Sequence, residues 1–244
     1  MPRYKFTLSY NGSSYFGWQR QPKQISVQED IESALSRLNS NQKIQVVGCG
    51  RTDTGVHAHH YVMHADLPDE VNPNQYIFKL NRMLPDGIAI HEMQVVSDEF
   101  HARFGATKRT YRYFIHQKKD PFINDVSWLF PQNIDLEAMN KAAQYLLGKK
   151  DFTSFSKLHT DVKTNICEVT HALWYRMDDS KIYFEISADR FLRNMVRATV
   201  GTLIDVGLNK IEPEEILSIL EKKDRGEAST SVPPQGLFLW KIEY

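Results

Sequence analysis

The sequence predicts an α+β protein in which one order of elements, β-α-β-β-α-β, occurs twice along the chain. Two observations carry this. Apolar residues alternate with polar ones at period two in several segments of strand length, and amphipathic stretches with capping residues at their starts lie between them. The order found in the first part of the chain then recurs in the second. Two ferredoxin-like halves, 1–103 and 104–244, are therefore the expected domains. A single mixed α/β sheet that ignores the repeat is the alternative.

The first strand is expected over 3–10, where Tyr4, Phe6, Leu8 and Tyr10 alternate with polar residues. After the loop NGSSYFGWQRQPK, Ser26 and Glu29 form a capping-box pattern, and Val27, Ile31, Leu35 and Leu38 line one helix face. A strand near 43–48, a polar segment holding Asp53 and a strand near 60–66 follow. Asn72 before Pro73 reads as the start of a helix over 73–84, with Ile77, Leu80 and Leu84 as its stripe, and a strand at 88–96 closes the series. In the second half a strand is expected at 107–116, then a helix capped by Asp135 and running to about 147. Strands near 167–177 and 181–188, a helix from about 191 to 206, a short helix opening at Pro213 and a strand at 237–243 complete it. Residues 148–166 and 224–236 read as loops.

Of the 244 residues 41% are hydrophobic and 25% charged, a globular balance able to bury a core. The opening MPRYKFTLSY lacks an apolar h-region and no segment approaches a membrane span, so a cytoplasmic protein with no membrane partner is expected. Cys49 and Cys167 stand far apart without metal spacing, which fits a reducing compartment. With 30 basic and 30 acidic side chains, bulk charge does not announce a nucleic-acid partner. Charge is unevenly placed, however: HARFGATKRTYR, 101–112, holds Arg103, Lys108, Arg109 and Arg112 and no acid.

The segment CGRTDTGVHAHH, 49–60, raises the question of chemistry. Its Asp-Thr-Gly is the form in which an aspartic protease presents a catalytic carboxylate, but such an enzyme needs two copies sharing a proton. This chain has a single copy, and an arginine two residues away does not suit a shared proton. A metal site is the second candidate, since His57, His59, His60 and His64 cluster. On a strand, though, period two sends His60, Val62 and His64 to one face and His59, Tyr61 and Met63 to the other, with no carboxylate or thiolate to complete a set. Histidines hydrogen-bonded in or near a sheet are the expected outcome. The plainest reading of Asp53 is a turn carboxylate before Gly55. Against it stands the run Arg51-Thr52-Asp53 among Gly48, Gly50 and Gly55, which suits a backbone that approaches a ligand closely.

GRTDTGVHA strongly resembles the active-site motif of the tRNA pseudouridine synthase A family, usually G-R-T-D-A-G-V-H-A. Further family landmarks occur in order: YNGSSYFGWQRQ, SVQEDIE, FHARFGATKRTYRY, DFTSF, RFLRNMVRATVG and GLFL. The departures are Asn11 where Asp is common, Thr54 for Ala, and Cys49 for a smaller residue.

The resemblance implies an enzyme that isomerises uridine to pseudouridine in the anticodon stem-loop of tRNA, at positions 38 to 40, without metal or cofactor. It implies a homodimer whose subunits both hold the tRNA, and two ferredoxin-like halves with adjoining antiparallel sheets and a basic central cleft. Asp53 matches the catalytic aspartate. Attack of the carboxylate on the sugar C1′, attack on the uracil C6, and a glycal route all agree with that role. Arg51 matches the arginine that holds the flipped nucleotide or fills its place, and Tyr111 the tyrosine packed on the target uracil. Arg197 matches the basic partner of the aspartate, and Leu237 a leucine at the pocket floor. Arg190, Arg193 and Arg197 recur at helical spacing as a polar stripe. Arg20, Lys108, Arg109 and Arg193 are candidates for phosphate contacts, and His57 joins them as an expected RNA-binding residue. The competing reading is a catalytically silent RNA-binding module of two RRM-like halves, for which YRYFIHQ is only a loose echo of the aromatic signature.

Overall fold

The computed structural model describes residues 1–157 and 164–244 and shows an α+β protein. In chain order the first elements are β1 (Arg3–Tyr10), α1 (Val27–Leu38), β2 (Val47–Gly48), β3 (His57–Asp66), α2 (Pro73–Met83) and β4 (Ile88–Val96). There follow β5 (Lys108–His116), β6 (Trp128–Leu129), α3 (Leu136–Gln144), β7 (Gly148–Asp151), β8 (Ile166–Arg176) and β9 (Lys181–Ala188). The chain then forms α4 (Met195–Gly207), α5 (Glu215–Lys222) and β10 (Leu237–Glu243). Two compact units result, residues 1–107 with 238–244, and residues 108–237. The repeat in the sequence had placed 237–243 at the end of the second half. In the structure β10 runs parallel to β3 of the first unit, with Phe238 opposite His57 and Leu239 opposite Ala58.

In the first unit β1 lies antiparallel between β3 and β4, and its alternating Tyr4, Phe6, Leu8 and Tyr10 are all buried. Ser26 caps α1 by accepting the Glu29 N–H, and Asn72 caps α2 by accepting that of Gln75. Ile31, Leu35 and Leu80 turn into the core from these helices. β2 is shorter than expected over 43–48. The N–H groups of Ile44 and Val46 are taken by side chains of α1, Ser36 Oγ at 3.2 Å and Glu32 Oε1 at 3.1 Å, instead of by a neighbouring strand. The expected alternation along β3 also breaks. Leu8 pairs with Tyr61 but Tyr10 with Ala58, so β3 carries one extra residue around His59 and His60, and those two no longer divide between faces as period two required.

The second unit orders its strands β5-β9-β8-β7, with β6 parallel to β5. Tyr113, Ile115, Phe184, Ile186 and Trp174 are buried on this sheet, and α3 packs against α4 and β8. Asp135 caps α3 by accepting the N–H groups of Glu137 and Ala138. Two expectations need correction here. Gly148–Asp151, read as loop, pairs antiparallel with β8, and Lys149-Lys150 gave no apolar signal for it; part of that loop, 158–163, lies outside the described residues. The helix expected from about 191 begins only at Met195, because Asn194 adopts the left-handed φ of 67° and ends any helical run before it. Arg190 and Arg193 therefore precede α4, and only Arg197 of the expected stripe lies on it.

Candidate active site

The Asp53 segment joins β2 to β3 and is clamped by the loop that follows β1. Thr52 is buried; its hydroxyl meets the Tyr10 hydroxyl at 2.8 Å, and its carbonyl accepts the Trp18 N–H at 3.4 Å. The Tyr61 hydroxyl donates to the Gly50 carbonyl at 2.5 Å, and Tyr61 stacks on Trp18 with ring centroids 4.1 Å apart. Asp53 closes a turn with its main-chain carbonyl, which accepts the Val56 N–H at 3.1 Å while Gly55 takes a φ of 76°. The turn is thus made by backbone. Around the fixed Thr52, Arg51 is exposed and Asp53 half-buried. Backbone contact on this clamp is close. A Cβ on Gly17 (φ 89°) would lie 2.3 Å from the Thr52 carbonyl oxygen, and one on Gly12 would lie 2.0 Å from that of Val56.

Gly17→Ala should therefore displace the Asp53 loop, adding a left-handed Ala to a steric clash. Loss of activity on the order of 10²-fold and a lowered unfolding midpoint are expected. Gly50→Ala is the control, since nothing lies within 4 Å of its added Cβ. Equal effects from both substitutions would contradict the clamp.

The histidines after the loop act inside the fold. His57 is completely buried, accepts the Gly12 N–H on Nδ1 at 3.1 Å and stacks on Phe238 at 4.4 Å. His64 Nδ1 accepts the Ala102 N–H at 3.1 Å, and His60 Nδ1 the Ile242 N–H at 3.3 Å. An Nδ1 that accepts carries no proton. Burial first, then the Arg3 charge and His101, pushes the His64 imidazole down from 6.5 to about 4; burial also lowers His60. The unfolded chain binds these protons near pH 6.5 and the folded chain does so only at lower pH. The His64 contribution to stability is then complete above pH 6.5 and disappears as pH falls toward 4. Urea unfolding should lose on the order of 2–3 kcal/mol over that window through His64. An NMR titration placing His64 at 6.5 or above would contradict this. Among the described residues no group of three or more His, Cys, Asp or Glu side chains is placed to hold a metal ion.

Arg20, an expected phosphate contact, meets Glu29 at 3.2 Å and Glu32 at 3.6 Å. In the second unit Tyr111 is half-buried on β5 and meets Phe191 edge-on, ring centroids 5.0 Å apart. Arg197 Nε donates to the Val232 carbonyl at 2.7 Å, and the Tyr113 hydroxyl donates to the next carbonyl, Pro233, at 2.8 Å. Two side chains from α4 and β5 thus hold consecutive carbonyls of one loop. Burial raises the Tyr113 phenol and the Arg197 charge opposes that rise. Arg109 donates to the Asp189 carbonyl at 2.7 Å, Arg193 is exposed, Lys108 is half-exposed and Leu237 is buried at the start of β10. Residue pattern alone does not mark the supports: Tyr10, Thr52, Trp18 and Tyr61 in one unit, Tyr113 and the Val232–Pro233 carbonyls in the other. The glycines of YNGSSYFGW were the available signal for the first set. No pattern signals a backbone carbonyl.

A family model described as tRNA pseudouridine synthase matches residues 7–105 and 142–244. A Parabacteroides distasonis protein named tRNA pseudouridine synthase A is 48% identical over 245 residues, covering 100% of this chain and 96% of that one. Bacteroides thetaiotaomicron and Bacillus subtilis proteins of the same name are 47% and 40% identical, covering 100% and 99% of this chain and 91% and 99% of their own lengths.

Proposed function

This chain belongs to the tRNA pseudouridine synthase family, and on that premise we propose that it isomerises uridine to pseudouridine in the anticodon stem-loop of tRNA, at positions 38 to 40. Asp53 is the catalytic carboxylate. The observation that carries this reading is the clamp on Thr52, which fixes one residue and leaves Arg51 exposed and Asp53 half-buried on either side of it. A group that must meet a reacting atom needs such a fixed support.

Breaking the C–N glycosidic bond leaves positive character at the sugar C1′ and negative character on the departing uracil. A carboxylate stabilises or attacks the sugar, and the uracil turns and rejoins through C5. The target nucleotide first leaves the stack, at a cost of a few kcal/mol offset by contacts to the flipped base. Arg51 serves that step, and the half-exposed Tyr111 ring packs on the uracil. Arg197, its Nε anchored on the Val232 carbonyl, pairs with Asp53 through its remaining nitrogens. Leu237 floors the pocket. His57 acts by holding Gly12 and so the loop, not by touching RNA. Lys108, Arg109 and Arg193 meet phosphates, and so does Arg20 on leaving its glutamates. Two ferredoxin-like halves with a basic cleft, a homodimer and a cytoplasmic setting complete the reading. Among the described residues no helix is long and apolar enough to cross a membrane.

Mapping pseudouridine in unmodified tRNA transcripts after incubation with the protein tests this. Pseudouridine at positions 38 to 40 is expected, and none there in any tRNA would overturn the proposal.

A further inference from the structure

The segment that leads into β10 is bound along the length of α4. Toward the end of the helix Ser229 donates its N–H to Thr202 Oγ1 at 3.2 Å and its hydroxyl to Asp205 at 2.5 Å. In the middle the two backbones touch: a Cβ on Gly201 would lie 2.1 Å from the Thr230 carbonyl oxygen. Nearer the helix start Arg197 and Val232 are joined twice, Nε to carbonyl at 2.7 Å and the Val232 N–H to the Arg197 carbonyl at 3.2 Å. The last tie is Asn194, whose Nδ2 donates to Ser231 Oγ at 2.5 Å. Arg225 donates to the same oxygen at 3.1 Å.

Asn194 has a φ of 67°, in the left-handed region where glycine carries no steric cost. An asparagine just before a helix ordinarily caps it, yet this side chain makes no capping bond to α4. Neither backbone geometry nor capping accounts for the side chain, and its bond to Ser231 does. Its main-chain carbonyl accepts the Ala198 N–H at 3.0 Å, in the turn that carries Arg197. One residue thus holds both sides of the Arg197–Val232 bond, the helix and the segment. Tyr113 holds the segment alone, through Pro233, and a phenylalanine there would keep the ring against which Gly236 packs. We propose that Asn194 is a positioning residue, which fixes the Arg197 guanidinium in one orientation by tying the start of α4 to Ser231. This rests on the reading of Arg197 as the partner of Asp53 and names the residue that keeps it in place.

The test compares wild type, Asn194→Gly, Ser231→Ala and Arg197→Gln for turnover of tRNA and for thermal unfolding. Exchange of the Arg197 Nε–H is followed by NMR in arginine-labelled protein. Glycine suits the backbone at 194, so a merely structural role predicts that Asn194→Gly is an unchanged enzyme. The proposal predicts instead a kcat about 10- to 100-fold lower, with KM and unfolding midpoint near wild type, because the guanidinium is no longer held. Ser231→Ala, which removes the acceptor, should lower kcat over the same range. In both variants the Arg197 Nε–H should exchange faster than in wild type. If Asn194→Gly keeps wild-type kcat, or loses it with the Arg197 exchange unchanged, the proposal is wrong while the tRNA reading stands. An Arg197→Gln protein as active as wild type would instead remove the reading of Arg197 and this proposal with it. A wild type that does not modify tRNA would remove the tRNA reading as a whole.

Discussion

Asp53→Asn is expected to lower kcat by at least about 10³-fold while tRNA affinity and the unfolding midpoint stay near wild type. The asparagine keeps the shape of the side chain and removes its charge. Among the bonds that hold the loop are the Thr52 hydroxyl to Tyr10, the Thr52 carbonyl to Trp18, the Asp53 carbonyl to Val56 and the Gly50 carbonyl to Tyr61. None of these uses the carboxylate, so the loop should survive the change. Asp53→Glu restores the charge but moves it by one methylene, and a loss on the order of 10²-fold is expected from misplacement alone. Single-turnover kinetics with separately measured binding decide this. An Asp53→Asn protein turning over within tenfold of wild type would remove Asp53 from the chemistry.

Arg197→Gln should cost about 10²- to 10³-fold in kcat, the range for removing one fixed charged donor from a site. Its Nε holds the Val232 carbonyl, so a stability loss of about 1–2 kcal/mol should accompany it. Arg197→Lys should not restore activity, because one ammonium cannot reproduce an anchoring Nε and a planar fork together. Tyr113→Phe separates the two effects. It removes the hydrogen bond to Pro233 in the same loop and should lower stability by a similar amount while kcat changes little. Full activity in Arg197→Lys, or a kcat loss in Tyr113→Phe as large as in Arg197→Gln, would assign Arg197 a purely structural part.

Much of this fold is readable from periodicity and caps. β1, β4 and β9 lie where alternation put them, and α1, α2 and α3 start after the expected capping residues Ser26, Asn72 and Asp135. The exceptions are decided by tertiary contacts or single residues. β2 lost its length to Ser36 and Glu32 of α1. The left-handed Asn194 cut α4 short, and an extra residue in β3 undid the expected division of the histidines between faces. β7 had no apolar pattern to announce it, and β10 joined the first unit through parallel pairing with β3, a partner far away in sequence.

The candidate site was legible to a different depth. The run Arg51-Thr52-Asp53 stands out by residue type, and His57, His60 and His64 hydrogen-bond to the backbone around the sheet as expected, while His59 is exposed and stacks on Trp240. What the residue letters do not convey is that Thr52, between the two residues of interest, is the fixed point. That depends on Tyr10, at the end of β1, and Trp18, in the loop after it, both more than thirty residues earlier. The anchoring of Arg197 is likewise invisible, because its partner is a main-chain oxygen 35 residues further on.

The most direct measurement is tritium release from tRNA carrying 5-³H-uridine, with wild type and Asp53→Ala assayed side by side at equal tRNA occupancy. Joining uracil to the sugar through C5 displaces the hydrogen there, so each turnover releases one tritium. Wild type should release tritium and Asp53→Ala should remain at background although it binds the tRNA. No release by wild type, or equal release by both proteins, would contradict the account.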